Sequence, residues 1–144
     1  MISSILMLCA EGVVRDAETN NVSVFNILEQ ISSQTFPMLV QRVAVLNILS
    51  KDNEDKDEFE LFLRFVCNQD ELMKKPFRVM FGNKQRTRSV FQINGLVIPE
   101  PGKFEFQLSD KEDNVISRYD IHVGITEDII IEQIDGQKGS DTPE

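Results

Sequence analysis

The sequence predicts an all-β chain folded as a two-sheet antiparallel β-sandwich of about eight or nine strands. Three observations carry that expectation. Short runs rich in Val, Ile and Phe recur along the chain, separated by turn residues at the spacing of a sandwich or barrel. Two of the runs alternate with a period of two: Phe59, Leu61, Leu63, Phe65 and Cys67 against Glu60 and Arg64, and Phe104, Phe106 and Leu108 against Glu105 and Gln107. No long helix is expected between the strands, which disfavours a parallel doubly wound sheet.

Taken in order, Ile5–Ala10 is apolar throughout, as a strand buried on both faces would be. A polar stretch from Asp16 closes on Asn20 and Asn21, and Asn tolerates the left-handed backbone of a tight hairpin, so Val22–Leu28 is expected to return antiparallel to the first strand. Glu29–Pro37 alternates poorly and reads as a short helical turn, at most near 29–36, or an irregular crossover. Pro37 holds Phe36 extended. Met38–Leu49 follows as one long strand, and Asp52–Glu58 as a solvated loop before the alternating Phe59–Cys67 strand.

Phe77–Phe81 reads as a short strand after Pro76, and Ser89–Ile98 as a strand in which Asn94-Gly95 marks a bulge or bend. Pro99–Gly102 is a strong turn before the Phe104–Leu108 strand. In Val115–Val123 the residues Val115, Tyr119, Ile121 and Val123 share one face, and Arg118, Asp120 and His122 the other. Ile129–Ile134 is a last strand candidate, which sets residues 1–134 as one expected domain. Residues 135–144 have the composition of a flexible acidic tail.

The chain of 144 residues carries 24 acids against 15 Lys and Arg, a net charge of −9 that opposes nucleic acid and anionic membranes at long range. No apolar stretch is long enough to span a bilayer, and the first ten residues lack the basic start of a secretory leader. The expected location is therefore a reducing cytoplasm. Cys9 and Cys67 each lie inside an apolar run and read as buried free thiols, with a cross-strand disulfide as the lesser alternative. No Cys-x-x-Cys or Cys/His cluster suggests zinc, and nothing implies a cofactor.

Three features invite chemistry. His122, the only histidine, lies with Arg118 and Asp120 on a polar face and has no nucleophile placed by sequence, so solvent contact is the plainer reading than base catalysis. The acidic loops holding Asp52, Asp55 and Asp57, and Asp110 and Asp113, would suit calcium if they met at one end of the sandwich. The first is not an EF-hand, lacking Gly at its sixth position and Glu at its twelfth, and charged hairpin tips are also ordinary solubility devices. The third feature is a span from Leu72 to Pro99 without any acid. Six cations fall in it, Lys74, Lys75, Arg78, Lys84, Arg86 and Arg88, interleaved with Phe77, Met80 and Phe81. Such a patch suits an anionic ligand, an acidic partner surface or a second copy of the chain. The alternative is edge-strand protection by Lys and Arg.

Two blocks resemble a bacterial family of uncharacterised proteins. One is Leu6-Met7-Leu8-Cys9-Ala10 with Asn21–Leu28 and, after a gap, Phe36-Pro37; the other is Asn94–Phe106, containing Pro101-Gly102-Lys103-Phe104-Glu105-Phe106. Asn26 stands where members commonly carry Gly, and Asn20-Asn21 replaces a Gly-containing turn. The resemblance implies an immunoglobulin-like β-sandwich and supplies no active residue. The function expected from these readings is a non-catalytic module that binds a protein or self-associates through the Lys74–Arg88 region. The alternatives are a small-molecule or calcium binder using the end loops and, third, an enzyme without a recognisable motif.

Overall fold

The alternating runs become strands, and among the residues described by the computed structural model, 1–126, every regular element is a strand. In chain order these are β1 (Ser3–Arg15), β2 (Val22–Ile27), β3 (Gln30–Ser33), β4 (Met38–Ser50), β5 (Glu58–Cys67), β6 (Asp70–Met80), β7 (Arg86–Ile98), β8 (Gly102–Ser109) and β9 (Val115–Ile125). They build a four-stranded sheet, β2-β1-β4-β7, and a five-stranded sheet, β3-β9-β8-β5-β6. The fold is a β-sandwich. The strand candidate Ile129–Ile134 and the tail 135–144 lie outside the described residues.

The core fills the space between the sheets. Leu61, Phe104, Phe106, Leu108, Ile121 and Val123 come from the five-stranded sheet, and Cys9, Val43, Val45, Leu49 and Ile98 from the other. Each of the Val, Leu, Ile and Phe side chains contributes about 1.5–3 kcal/mol by leaving water. Cys9 and Cys67 are buried free thiols. Central strand β8 is covered on both faces. Its outward Glu105 and Gln107 are also buried, with Gln107 Nε2 donating to Glu105 Oε1 at 2.5 Å and the Lys103 ammonium 2.9 Å from Glu105 Oε2.

Three features differ from the sequence expectation. Residues 29–36 hold strand β3 rather than a helix or irregular crossover, and β3 pairs parallel with β9, so the sandwich is not wholly antiparallel. Only Ile31 of β3 packs on the core, and four residues with one apolar anchor leave no readable period. β6 starts at Asp70 rather than Phe77 and runs straight through Pro76, which an edge strand accommodates because the missing N–H belongs to no interior ladder. β1 is not buried on both faces throughout. Ile5 and Leu6 are 45% and 38% exposed, and burial begins at Met7. Among the described residues, six other than glycine take positive φ; they include Asn20 (64°), as the expected tight hairpin requires, and Asn26 (57°). Asn26 thus takes the left-handed conformation that Gly and Asn tolerate best.

Asn94-Gly95 is a bend shared by two strands. On β7 the core-packing residues are Phe91 and Ile93 before it and Leu96 and Ile98 after it. On β4 they are Met38 and Val40, then Val43 and Val45. Both strands change parity at facing positions, Gln41-Arg42 and Asn94-Gly95, so the register Val40↔Leu96 and Arg42↔Asn94 continues without a slip. Gly95 takes φ +87° there.

β1 pairs with β4 only as far as Ala10; beyond it, Gly12–Arg15 pair with β2 alone. The resulting two-stranded arm folds back, and its tip, Asp16–Asn21, reaches β7 where Asn20 meets Arg88. The arm accounts for Ala44 and Leu46, which point away from the core yet are each 1% exposed.

Candidate functional site

The corner where the chain leaves the five-stranded sheet and enters the four-stranded one is built by the sequence Phe81-Gly82-Asn83-Lys84-Gln85. Gly82 (62°) and Asn83 (63°) both take positive φ, which folds the connection tightly. The Asp57 loop fixes it from outside: Asn83 N donates to Asp57 Oδ1 at 2.8 Å and Phe81 N to Asp57 O at 2.9 Å. Lys51 N donates to Gln85 O at 2.9 Å and ties the corner to β4.

Above this corner lies a cleft of about 600 Å³ lined by Lys84, Arg86 and Arg88 together with Ile48, Met80 and Phe81. Arg86 and Arg88 are two apart on β7 and so share its outward face. Arg88 is held in place, its Nη2 donating to Asn20 O at 2.8 Å and to Asn20 Oδ1 at 3.1 Å. Met80 is 62% exposed and Phe81 buried, so the apolar wall is open on one side only. No lining residue is acidic. Among the described residues, Lys84, Arg86 and Arg88 make no ion pair with a carboxylate. Planar guanidinium groups beside exposed apolar surface suit a carboxylate carried on an apolar backbone segment.

The structure therefore divides the six predicted cations. Lys84, Arg86 and Arg88 converge on the cleft. Lys74, Lys75 and Arg78 lie along edge strand β6 instead. Lys74 Nζ sits 2.9 Å from Asp113 Oδ1 and 4.8 Å from the Phe62 ring centroid, and it holds the Asp113 carboxyl below its usual range. Arg78 makes a loose pair with Glu58 at 3.8 Å. Lys75 is on the opposite face of β6 from these two, in register with Leu63. Phe77 is turned inward with its ring 4.8 Å from Phe91 across the two sheets, so it belongs to the core and not to the patch.

The acidic loops do occupy the same end of the sandwich, but their aspartates are engaged separately. Asp52 and Asp55 both contact the Met1 ammonium, which lowers the Asp55 pKa. Asp57 caps the β6–β7 corner. Asp110 accepts from Asn114 N and Glu112 N within its own turn, and the Asn114 bond is the main cause of its lowered pKa. Asp113 is the Lys74 partner. Among the described residues, no group of three or more His, Cys, Asp or Glu side chains is placed to hold a metal ion. His122 is exposed on β9, in register with Lys103.

Sequence reasoning missed Asn20 and Ile48 as cleft walls. Asn20 read only as a turn residue, and Ile48 as one apolar position in a long strand. A second hollow, of about 530 Å³, opens at the shared bend of β4 and β7. It is flanked by Glu11 and Arg42 and so offers no net charge.

An all-β sandwich with one cationic cleft at its sheet-to-sheet corner is the class these observations define. The chain belongs to the Family of unknown function (DUF6941), whose model matches residues 4–124, from the start of β1 almost to the end of β9. That agrees with the resemblance to a family of uncharacterised proteins. No curated protein matches the chain. Among solved structures, the β-glucosidase from Listeria innocua in complex with isofagomine is similar at a TM-score of 0.42 and 10% identity over 67% of this chain. The chain spans only 15% of that enzyme's length, and likeness at this level carries no argument about activity. Among the described residues no helix is long and apolar enough to cross a membrane.

Proposed function

We propose that the protein is a non-catalytic binding module whose contact surface is the cleft formed by Lys84, Arg86 and Arg88, and that it takes an acidic protein segment. The observation that carries this reading is the convergence of three cations, without a carboxylate partner among the described residues, around exposed Met80 and half-buried Ile48. In a chain of net charge −9, a cationic hollow is a local exception that gives a partner both direction and register. The same overall charge opposes nucleic acid, whose affinity rests on many phosphate contacts. The mixed lining favours a peptide, which brings side-chain carboxylates and apolar groups together.

The strand order supports an immunoglobulin-like reading of the sandwich. β1-β4-β7 stand where that fold has its first sheet and β9-β8-β5-β6 where it has its second, with the short β3 paired to β9. Such sandwiches present binding surfaces at their corners and ends on a rigid frame.

The test is fluorescence anisotropy with a labelled peptide of alternating Glu and Ile. Binding to the wild-type chain is expected to weaken about tenfold or more in the Lys84→Glu/Arg86→Glu variant, and to weaken with added salt. Equal affinity for both proteins, or no binding to either, contradicts the reading.

A further inference from the structure

The partner of the cleft follows from what the chain itself carries beyond β9. Residues 127–144 hold Glu127, Asp128, Glu132, Asp135, Asp141 and Glu144 against a single Lys138, and the acids in Glu127–Asp135 are interleaved with Ile129, Ile130, Ile131 and Ile134. That is the chemistry the cleft suits: carboxylates for Lys84, Arg86 and Arg88, and aliphatic side chains for Ile48 and Met80. We infer that the cleft of one copy is occupied by residues 127–144 of a second copy, and that the exchange is reciprocal. The inference rests on the reading of the cleft as a site for an acidic protein segment and names that segment.

Topology argues for a second copy rather than the same chain. β6 ends and β7 begins at the cleft end of the sandwich, with Glu58↔Met80 and Ser50↔Arg86 in register there. β9 starts at that end, where Ser109↔Val115, and finishes at the other, where Gly102↔Val123. Its eleven residues put Ile125 roughly 35 Å from the cleft end. Returning along its own sandwich would use about ten extended residues of the segment as a tether. Those residues include Glu127, Asp128, Glu132 and Asp135, so the densest acidic part would be spent in transit.

Two copies side by side and antiparallel have no such difficulty. A two-fold axis between them sets the exit after Thr126 of each beside the cleft of the other, and Glu127–Asp135 arrive first. One short segment in one cleft buries little surface; two reciprocal insertions double it, towards the range of a stable dimer. A closed pair fills both clefts and both segments at once, whereas an open chain of copies leaves one cleft and one segment unfilled at its ends.

The experiment is a charge swap in the full chain, read by analytical ultracentrifugation. Wild type is expected to sediment as a species of twice the 16.5 kDa chain mass. Lys84→Glu/Arg86→Glu and, separately, Glu132→Lys/Asp135→Lys are each expected to raise the dimer dissociation constant about 100-fold. Combining all four substitutions in one chain is expected to restore most of the dimer. Circular dichroism of each variant checks that it is folded, and rescue in the combined variant is itself a result that misfolding does not produce. A wild type that stays monomeric, single swaps that leave the dimer intact, or a combined variant no better than either swap overturns the inference. If the Glu/Ile peptide still binds the cleft in that event, the reading of the cleft stands and only the identity of its occupant falls.

Discussion

Arg88 on β7 donates from Nη2 to both the backbone oxygen and Oδ1 of Asn20, at 2.8 and 3.1 Å, a residue 68 positions earlier at the tip of the β1–β2 arm. One contact therefore fixes the arm over the four-stranded sheet and orients a cleft guanidinium. Asn20 also holds φ at 64°, which costs a residue with a plain Cβ about 1 kcal/mol or more. Asn20→Ala is expected to speed amide hydrogen exchange across Gly12–Val24 about tenfold. Asn20→Gly, which keeps the backbone conformation and loses only the side-chain acceptor, is expected to fall between it and wild type. Unchanged exchange in Asn20→Ala would mean that the arm is held by its apolar face alone.

Asn47 sits on the inner face of β4, in register with Met7 and Ser89, fully buried, and neither side-chain amide atom has a partner among the described residues. An unpaired amide in an apolar core costs free energy that an aliphatic side chain of similar size does not. Asn47→Leu is expected to raise unfolding stability by about 1–2 kcal/mol in urea titration. A loss of stability of that size would show that the amide has a partner the sandwich depends on.

Burial pushes the Cys9 thiol from its ordinary 9.0 up to about 12. The folded state then keeps a proton that the unfolded chain releases above pH 9, so unfolding stability is full below pH 9 and falls as pH rises towards 12. Cys67 and Tyr119 are raised by burial too and act in the same direction. The Cys9 share is at most about 1.4 kcal/mol per pH unit. Urea midpoints measured from pH 8 to 10 should decline, and Cys9→Ala should flatten the decline whatever its effect on baseline stability. A midpoint that rises over that range contradicts the burial of these groups.

Gly102 opens β8 at φ +131°, and a methyl group there would run into the Asn68 side chain. Asn68 cannot move aside cheaply. Its Oδ1 accepts from Lys103 N at 2.9 Å, and its Nδ2 donates to Pro101 O at 2.8 Å, closing the β5–β6 turn onto the start of β8. Gly102→Ala is expected to cost roughly 2–3 kcal/mol, larger than most single substitutions. A thermal shift within a degree of wild type would show that the turn adapts.

The strands with a clear period were legible, because burial of one face forces a period of two on Phe59–Cys67 and Phe104–Leu108. Elements without that constraint were not. β3 has one core residue, and the first half of β6 (Asp70–Lys75) sits at an edge where charge and apolar residues mix. The arm over the outer face was hidden because Ala44 and Leu46 look the same in sequence whether a strand or another sheet covers them. For the site, the acid-free span pointed to the right stretch of chain. It included Lys74 and Arg78 because their partners, Asp113 and Glu58, lie outside the span and meet it only through the fold. The Leu72–Pro99 charge pattern thus located the neighbourhood, and the corner at Gly82-Asn83 selected the three cations that converge.

The central claim is that an acidic segment occupies the Lys84–Arg86–Arg88 cleft, and nuclear magnetic resonance with the ¹⁵N-labelled Glu132→Lys/Asp135→Lys variant, whose own segment no longer competes for the cleft, tests it most directly. Titration with the Glu/Ile peptide is predicted to shift the amide signals of Met80–Arg88, Ile48 and Asn20 together, with one saturation curve. Shifts centred on the Asp52–Asp57 or Asp110–Asp113 loops, or none at millimolar peptide, would contradict it.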